Sequence, residues 1–474
     1  MESCKDEVAT AGEVAVVVVP LPAQGHLNQL LQISCLLSSS SSSALQVHYL
    51  GFSIHTQQAR VRANGLDPEK ISKIHFHELP TPELDCPPPD PAAALKFPTH
   101  LQPLWEASHL LLRRPAADVL REIASKSRRV VIIHDSIMAS VVQDAASIPN
   151  AETYSFNCIS VFSLLSLVYY RTGRPFPAVA AVEEAGLREL MPDLEDCTSY
   201  DIQRLGSAQR EFLKFRSGEI HNTSRVIEGP FPDVYEREGF SQNLKQWFIG
   251  PILPPLNAYN KKQNVWLDWL DEQPPDSVLY VSFGTMTSVS DQQVTELAKG
   301  LEQSKVRFLW VLRDADKGNI FSGKPRSIEL PEGFEERVIK WGAVVREWAP
   351  QPEILAHPST GGFMSHCGWN SCIESITHGV PMAAWPMHSD QPSNGFLVTR
   401  ILKTGLMVRE WGEHRELVKA SNIENVVRRL MDSQEGVEVR MRAQALGKEV
   451  RKSVQPGGVS HIQLHSFIAH ITRT

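Results

Sequence analysis

Residues 14–52, VAVVVVPLPAQGHLNQLLQISCLLSSSSSSALQVHYLGF, decide the fold class. Val14–Val19 is an unbroken apolar run rich in β-branched residues, as expected of a strand covered on both faces. Residues 20–25 (PLPAQG) interrupt it, and His26–Leu37 follows with helical character. The tract Ser38–Ser43 is polar and of low complexity, so it reads as a loop, and Gln46–Phe52 is a second strand. Strand, helix, strand in this order is a βαβ unit, which calls for a parallel sheet with helical crossovers.

The same alternation continues outward. Val130–Ile133 is a short apolar strand ending at His134 and Asp135, and Val161–Tyr170 reads as a buried helix. The stretch from Pro80 to Pro103 is proline-rich and irregular, the kind of long loop that is often functional. At 250–256 the sequence is GPILPPL, whose prolines mark a linker. Beyond it a second α/β pattern begins: strands at Ser277–Phe283, Arg307–Leu312, Ala343–Arg346, Gly361–Met364 and Pro381–Trp385. Ser290 with Gln293 forms a capping box for a helix running toward Gln303. His461–Ile471 is a closing helix. The expected organisation is two doubly wound domains: residues 1–249 completed by a C-terminal helix at 458–474, a linker at 250–264, and residues 265–457. Ligands are expected in the cleft at the carboxyl ends of the strands.

Composition narrows the function classes. The chain has 474 residues, 42% of them hydrophobic and 21% charged, which suits a protein of two or three ordinary domains. A net charge of −7 speaks against a nucleic-acid partner, which requires a basic face. The seven cysteines are scattered with no CxxC, so neither a zinc site nor a disulfide framework is expected. The apolar run at 14–19 is too short for a signal core or a membrane span, so membrane insertion is not expected either. A cytoplasmic, monomeric enzyme is the expectation. There is no Walker A and no GxGxxG, which disfavours ATP and NAD.

Residues 348–391 read WAPQPEILAHPSTGGFMSHCGWNSCIESITHGVPMAAWPMHSDQ. The chemistry can be argued position by position. Trp348, just past a strand end, offers a flat face for a base, and the amide of Gln351 suits a ribose or base edge. The turn and helix start at His366–Ser371 present backbone N–H groups and a helix dipole to a diphosphate. His366, Asn370 and Ser371 can add hydrogen bonds, and Glu374 stands one turn beyond Asn370. Asp390 and Gln391 follow the next strand. Taken singly, Trp348 or Trp369 would more often be core, Glu374 an exposed helix residue, and Cys367 and Cys372 packed small groups. The joint pattern carries the reading.

The stretch resembles the UDP-sugar-binding signature of plant family-one glycosyltransferases almost position for position. PLPAQGHLNQL at 20–30, HDSIMASVVQDAASIPN at 134–150 and SFGT at 282–285 extend the resemblance over most of the chain. It implies a GT-B fold, two Rossmann-like domains facing each other across a cleft. It also implies transfer of a sugar from a UDP-sugar to a hydroxyl of a small acceptor, with inversion. The expected donor contacts are Ser282, Thr285, Trp348, Gln351, His366, Trp369, Asn370, Ser371, Glu374, Asp390 and Gln391, with Asp390 and Gln391 on the sugar. A glutamine at the end of the signature accompanies glucose in this family, so UDP-glucose ranks ahead of UDP-xylose and UDP-galactose.

His26 is the expected base and Asp135 the carboxylate behind it. In a parallel sheet their strand ends converge on one edge, and a carboxylate fixes a histidine tautomer and stabilises its cation. The position of His26 at a helix start is expected to keep the imidazole neutral. A Ser-His-Asp hydrolase is disfavoured because no GxSxG elbow occurs. A non-catalytic sugar-nucleotide binder would usually have lost the base or the Asp–Gln pair. No metal and no cofactor are expected: His75 with His77 and His461 with His465 are paired by spacing, but neither pair has a clear third ligand. The blocks VHYLGFSIHTQQARVR, IHFHELP and KFPTHLQPLWEAS most resemble zeatin O-glycosyltransferases, with a phenolic, flavonoid or terpenoid acceptor as the alternative. Met138, Phe156 and Phe162 are the expected pocket lining.

Overall fold

The computed structural model describes residues 13–39, 45–63, 66–177, 179–183, 186–240, 243–253, 264–324 and 326–473. Cys4, most of the serine tract and most of the 250–264 linker lie outside the described residues.

Two parallel sheets organise the chain. The first contains β1 (Val14–Val19), β2 (Leu45–Phe52), β3 (Ile74–Leu79), β4 (Arg129–Asp135), β5 (Ala151–Asn157), β6 (Gly218–His221) and β7 (Lys245–Phe248), in the order β3-β2-β1-β4-β5-β6-β7. The second contains β8 (Val278–Ser282), β9 (Arg307–Val311), β10 (Gly342–Val345), β11 (Thr360–Ser365), β12 (Met382–Ala384) and β13 (Gly405–Met407), in the order β10-β9-β8-β11-β12-β13. Every strand pairing is parallel.

Both orders reverse direction once, next to β1 in the first sheet and next to β8 in the second. Such a reversal opens a crevice at the carboxyl ends of the two strands that flank it. β1 is buried along its whole length, which is why its sequence is apolar without alternation. Helix α1 (Gln24–Ser38) leaves β1 after a four-residue turn and buries Leu27, Leu30, Leu31 and Ile33 against the sheet. The closing helix Val459–Thr472 returns to this first sheet. There Phe467 and Ile471 join the core formed by Val16, Val131, Tyr154 and Trp247. Among the described residues no helix is long and apolar enough to cross a membrane.

Candidate active site

The β1–β4 crevice brings together two residues 109 positions apart. His26 lies in the first turn of α1 and Asp135 is the last residue of β4; His26 Nδ1 and Asp135 Oδ2 are 2.5 Å apart. The His26 side chain is 20% exposed and that of Asp135 only 1%, so the histidine faces the cleft with the carboxylate behind it. Asp135 is held on both oxygens: Oδ1 accepts from the Ile137 N–H at 3.0 Å, and Oδ2 also accepts from the Cys158 thiol at 3.4 Å.

The electrostatics correct one expectation. Burial pulls the His26 imidazole down, but the Asp135 carboxylate, by charge and by hydrogen bond, outweighs it and holds the group above its ordinary value. The helix start therefore does not decide the protonation of His26. Burial acts on Asp135 in the raising direction, yet His26, the Ile137 N–H and the Cys158 thiol together keep it depressed. Asp390, from the other half of the chain, adds to the rise of His26, so the two residues share one cleft.

The β8–β11 crevice carries the 348–391 stretch. Gln351 donates to Glu374 Oε2 at 2.7 Å and to Ser371 Oγ at 3.1 Å, so three of the expected donor contacts already form one cluster. Burial raises the Glu374 carboxyl to about 7. The helix Trp369–His378 starts at Gly368 with no side-chain cap, which leaves its first-turn N–H groups to a ligand. His366 sits between two glycines: a Cβ on Gly284 would lie 2.6 Å from its Nε2, and one on Gly368 would lie 2.5 Å away. Burial lowers this imidazole to about 4, so it is a neutral hydrogen-bond donor, not a cation. Its Nδ1 is buried without a hydrogen-bond partner among the described residues, as a site open to an acceptor oxygen would leave it. Ser282 is buried at the end of β8 and Thr285 is half-buried beyond it. Trp348 is half-buried, with the Arg62 guanidinium 4.6 Å and the Arg313 guanidinium 5.4 Å from its ring centre.

Other expected residues are placed differently. Trp369 is 3% exposed and its indole N–H donates to the Asn222 carbonyl at 2.8 Å, so its side chain ties the two halves together. Asn370 likewise donates to the Gly25 carbonyl, at 2.9 Å. Gln391 is turned inward: its Oε1 accepts from the Met387 and His388 N–H groups, both at 2.9 Å. Met138, Phe156 and Phe162 are all fully buried, in three separate hydrophobic cores. Apolar residues next to a cleft and apolar residues one layer deeper have the same local sequence character, so composition does not separate them.

Several residues escaped the sequence reading. Asn394 donates to Asp390 Oδ2 at 2.7 Å and to the Cys367 carbonyl at 3.0 Å, while its Oδ1 accepts from Ser160 and Ser163 at 2.8 Å each. The i, i+4 spacing of Asp390 and Asn394 was the available signal. Phe97 stands edge-on to His388, and the Cys197 carbonyl accepts from the Ser389 N–H at 2.7 Å, so two loops from the first half abut the Asp390–Gln391 turn. Arg62 forms an ion pair with Asp316 across the cleft. Nothing local announces a pair 254 residues apart.

Comparisons with known proteins agree with this geometry. Residues 12–254 match a family described as glycosyltransferase, N-terminal domain, and residues 256–456 match UDP-glucoronosyl and UDP-glucosyl transferase. The chain is 49% identical over 467 residues to zeatin O-glucosyltransferase of Phaseolus lunatus, covering 97% of each chain. It is 48% identical over 473 residues to zeatin O-xylosyltransferase of Phaseolus vulgaris, covering 97% of this chain and 98% of that one. A solved structure of Phytolacca americana UGT2, complexed with UDP-2fluoro-glucose and pterostilbene, superposes with a TM-score of 0.77 at 26% identity, covering 97% of this chain and 99% of that one. The two facing Rossmann-type sheets are thus the GT-B arrangement.

Proposed function

The chain belongs to the UDP-glucoronosyl and UDP-glucosyl transferase family, and on that premise we propose that it transfers glucose from UDP-glucose to a hydroxyl of a zeatin-type cytokinin. The observation that carries the catalytic part is the 2.5 Å His26–Asp135 contact at the mouth of the first crevice, with Asp390 within electrostatic reach from the second. The acceptor part rests on full-length similarity to zeatin O-glycosyltransferases. Residues 1–249 with 458–474 supply the acceptor side and residues 265–457 the donor side.

With its Nδ1 proton on Asp135, neutral His26 has Nε2 free to take the acceptor hydroxyl proton as the oxygen attacks the anomeric carbon. Asp135 steadies the imidazolium that forms. UDP leaves from the opposite face of the sugar, giving a β-glucoside from an α-linked donor. Charge developing on the diphosphate meets the N–H groups at Trp369–Ser371, the neutral His366 imidazole and the hydroxyls of Ser282 and Thr285. Trp348 and the Gln351–Glu374 pair hold the nucleoside. Asp390 and Gln391 hold the sugar, which requires the Gln391 amide to turn from its inward hydrogen bonds. No metal has a part in this scheme, so excess EDTA leaves the rate unchanged; loss of activity restored by magnesium or manganese would refute that part.

A donor competition tests the whole reading. With zeatin as acceptor and UDP-glucose, UDP-xylose and UDP-galactose at equal concentration, the product carries mainly glucose. The near-equal identity to a zeatin O-xylosyltransferase makes xylose the second reading, and a mainly xylosylated product would establish it. Failure to glycosylate zeatin, with turnover of a phenolic acceptor, would overturn the acceptor assignment.

A further inference from the structure

The catalytic pair has a third member. Cys158, the residue after β5, is 5% exposed and points its Sγ at Asp135 Oδ2. Asp135 Oδ2 is 2.5 Å from His26 Nδ1 and 3.4 Å from Cys158 Sγ, and one ligand atom from each of the three residues lies within 4.8 Å of the other two. We propose that these three atoms form an inhibitory binding site for a thiophilic divalent cation of the zinc class. The binding stands on this geometry alone; the inhibition rests on the reading of His26 as base.

A nitrogen, a carboxylate oxygen and a sulfur are ordinary ligands of a tetrahedral zinc ion, with bonds of about 2.0–2.3 Å. At such bond lengths neighbouring ligand atoms stand about 3.3–3.8 Å apart. The sulfur and the carboxylate oxygen, at 3.4 Å, already meet that spacing; His26 Nδ1 has to withdraw from its 2.5 Å contact by about one ångström. The partly exposed histidine gives the ion its way in from the cleft and leaves the fourth position to water. The charges balance too: the carboxylate and a thiolate cancel the cation, so a buried site takes on no net charge.

The proton count explains inhibition. Starting from neutral His26, the Nδ1 proton must move to Nε2 to free the ligating lone pair, and the thiol proton is released to solvent. One proton leaves per ion bound, and affinity rises with pH. Nε2, the nitrogen that accepts the acceptor proton, is then already protonated, and Asp135 is engaged by the metal. A thiolate in the set selects zinc-like ions over magnesium and calcium.

Rival sites differ in signature. His48 Nδ1 and His77 Nε2 are 2.9 Å apart on β2 and β3, and the His461 and His465 rings meet at a tilt with centres 4.2 Å apart, but neither pair includes a thiol. Cys367 and Cys372 are fully buried in a core.

The test titrates the full chain, freed of metal by EDTA and dialysed, with Co²⁺, following the thiolate-to-cobalt absorption band and glucosyl transfer in the same samples. The band should saturate at one ion per chain and turnover should fall with the same midpoint. Zn²⁺ should displace the cobalt, and Mg²⁺ should do neither. The midpoint should fall about tenfold per pH unit, as expected for one released proton. Cys158→Ser should abolish the band and weaken binding by about tenfold or more. His26→Ala, altered at a partly exposed side chain, should abolish it too, so the test does not hang on one variant folding. Absence of the band in the unaltered enzyme, or an undiminished band in both variants, overturns the site. A band that forms while turnover is unaffected overturns the inhibition. Near-normal turnover of His26→Ala in metal-free buffer overturns the base assignment and leaves the binding result standing.

Discussion

Burial and one carboxylate compete for the proton of His26, and the carboxylate prevails. Asp135→Asn removes that carboxylate and leaves the burial. The imidazole then falls, so the acid limb of kcat/KM against pH moves to lower pH, while turnover drops about 10²–10⁴-fold for want of an oriented base. A pH–rate profile with UDP-glucose checks both; an unmoved acid limb would contradict the assignment. The linkage to stability has a definite sign. The depressed Asp135 stabilises the fold above its unfolded value and loses this as pH falls through its folded value. The raised His26 stabilises below its unfolded value and loses this as pH rises through its folded value. The stability gap between the unaltered enzyme and Asp135→Asn is therefore widest between about pH 4 and about pH 6.5, readable by urea unfolding. On the donor side, burial raises the Glu374 carboxyl to about 7, and in the proposed role of ribose acceptor it acts best when ionised. UDP binding should weaken as pH falls through 7, and Glu374→Gln should lose this pH dependence; calorimetry decides it. The identities of these residues were legible in the sequence because the 348–391 stretch and residues 26 and 135 match a family pattern. Their acidities were not, since each depends on burial and on partners remote in the chain.

At the level of elements, the helix Gln391–Phe396 works as a bracket. Asn394, one turn in, receives Ser160 and Ser163 from the opposing helix Val161–Thr172 and its cap, and presents its amide to Asp390. Asn394→Ala removes the acceptor that Ser160 and Ser163 share, leaving them their mutual 2.7 Å hydrogen bond, at about 1–3 kcal/mol, and releases Asp390. The expected result is a lower kcat with UDP-glucose and a nearly unchanged affinity for UDP, which the proposed donor site holds through other residues. A variant that loses UDP affinity to the same degree would show a general collapse of the domain instead. The strands named in the sequence agree with the structure to within a few residues at their ends. Those left unnamed have clear causes. β6 is GEIH and β13 is GLM, too short to show a period, while β5 mixes polar and apolar residues as AETYSFN. The helix Gln434–Ser453 is rich in charge, so its apolar stripe of Val439, Ala443 and Val450 is thin.

Across the whole molecule, the cleft is closed by bonds between distant parts: Trp369 to Asn222, Asn370 to Gly25, Ser389 to Cys197 and Arg62 to Asp316. The closing helix packs against the first sheet as well. Phe467 is fully buried and meets Tyr154 and Trp247 edge-on at 5.5 and 5.1 Å. Phe467→Ala should cost about 3–5 kcal/mol, although the residue lies more than 200 positions beyond β7 in sequence. Urea unfolding monitored by tryptophan fluorescence would show it, with UDP affinity of the folded protein preserved. A loss below about 1 kcal/mol would mean that the helix is only loosely docked.

The sequence alone determined the α/β class, the two parallel sheets and the donor signature. These follow from local periodicity and from a run of residues whose spacing is contiguous. It also named His26 and Asp135, because the stretches that hold them, at 20–30 and 134–150, match family positions. Only the tertiary structure decided what those residues experience: that Asp135 outweighs burial at His26, that Cys158 stands behind the pair, and that Trp369 joins the halves. It likewise placed Met138, Phe156 and Phe162 in cores and turned Gln391 inward. The physical reason is range. Strand and helix patterns are written in neighbours two to four residues apart, whereas desolvation, charge pairing and side-chain direction depend on atoms that only the closed fold brings within a few ångströms.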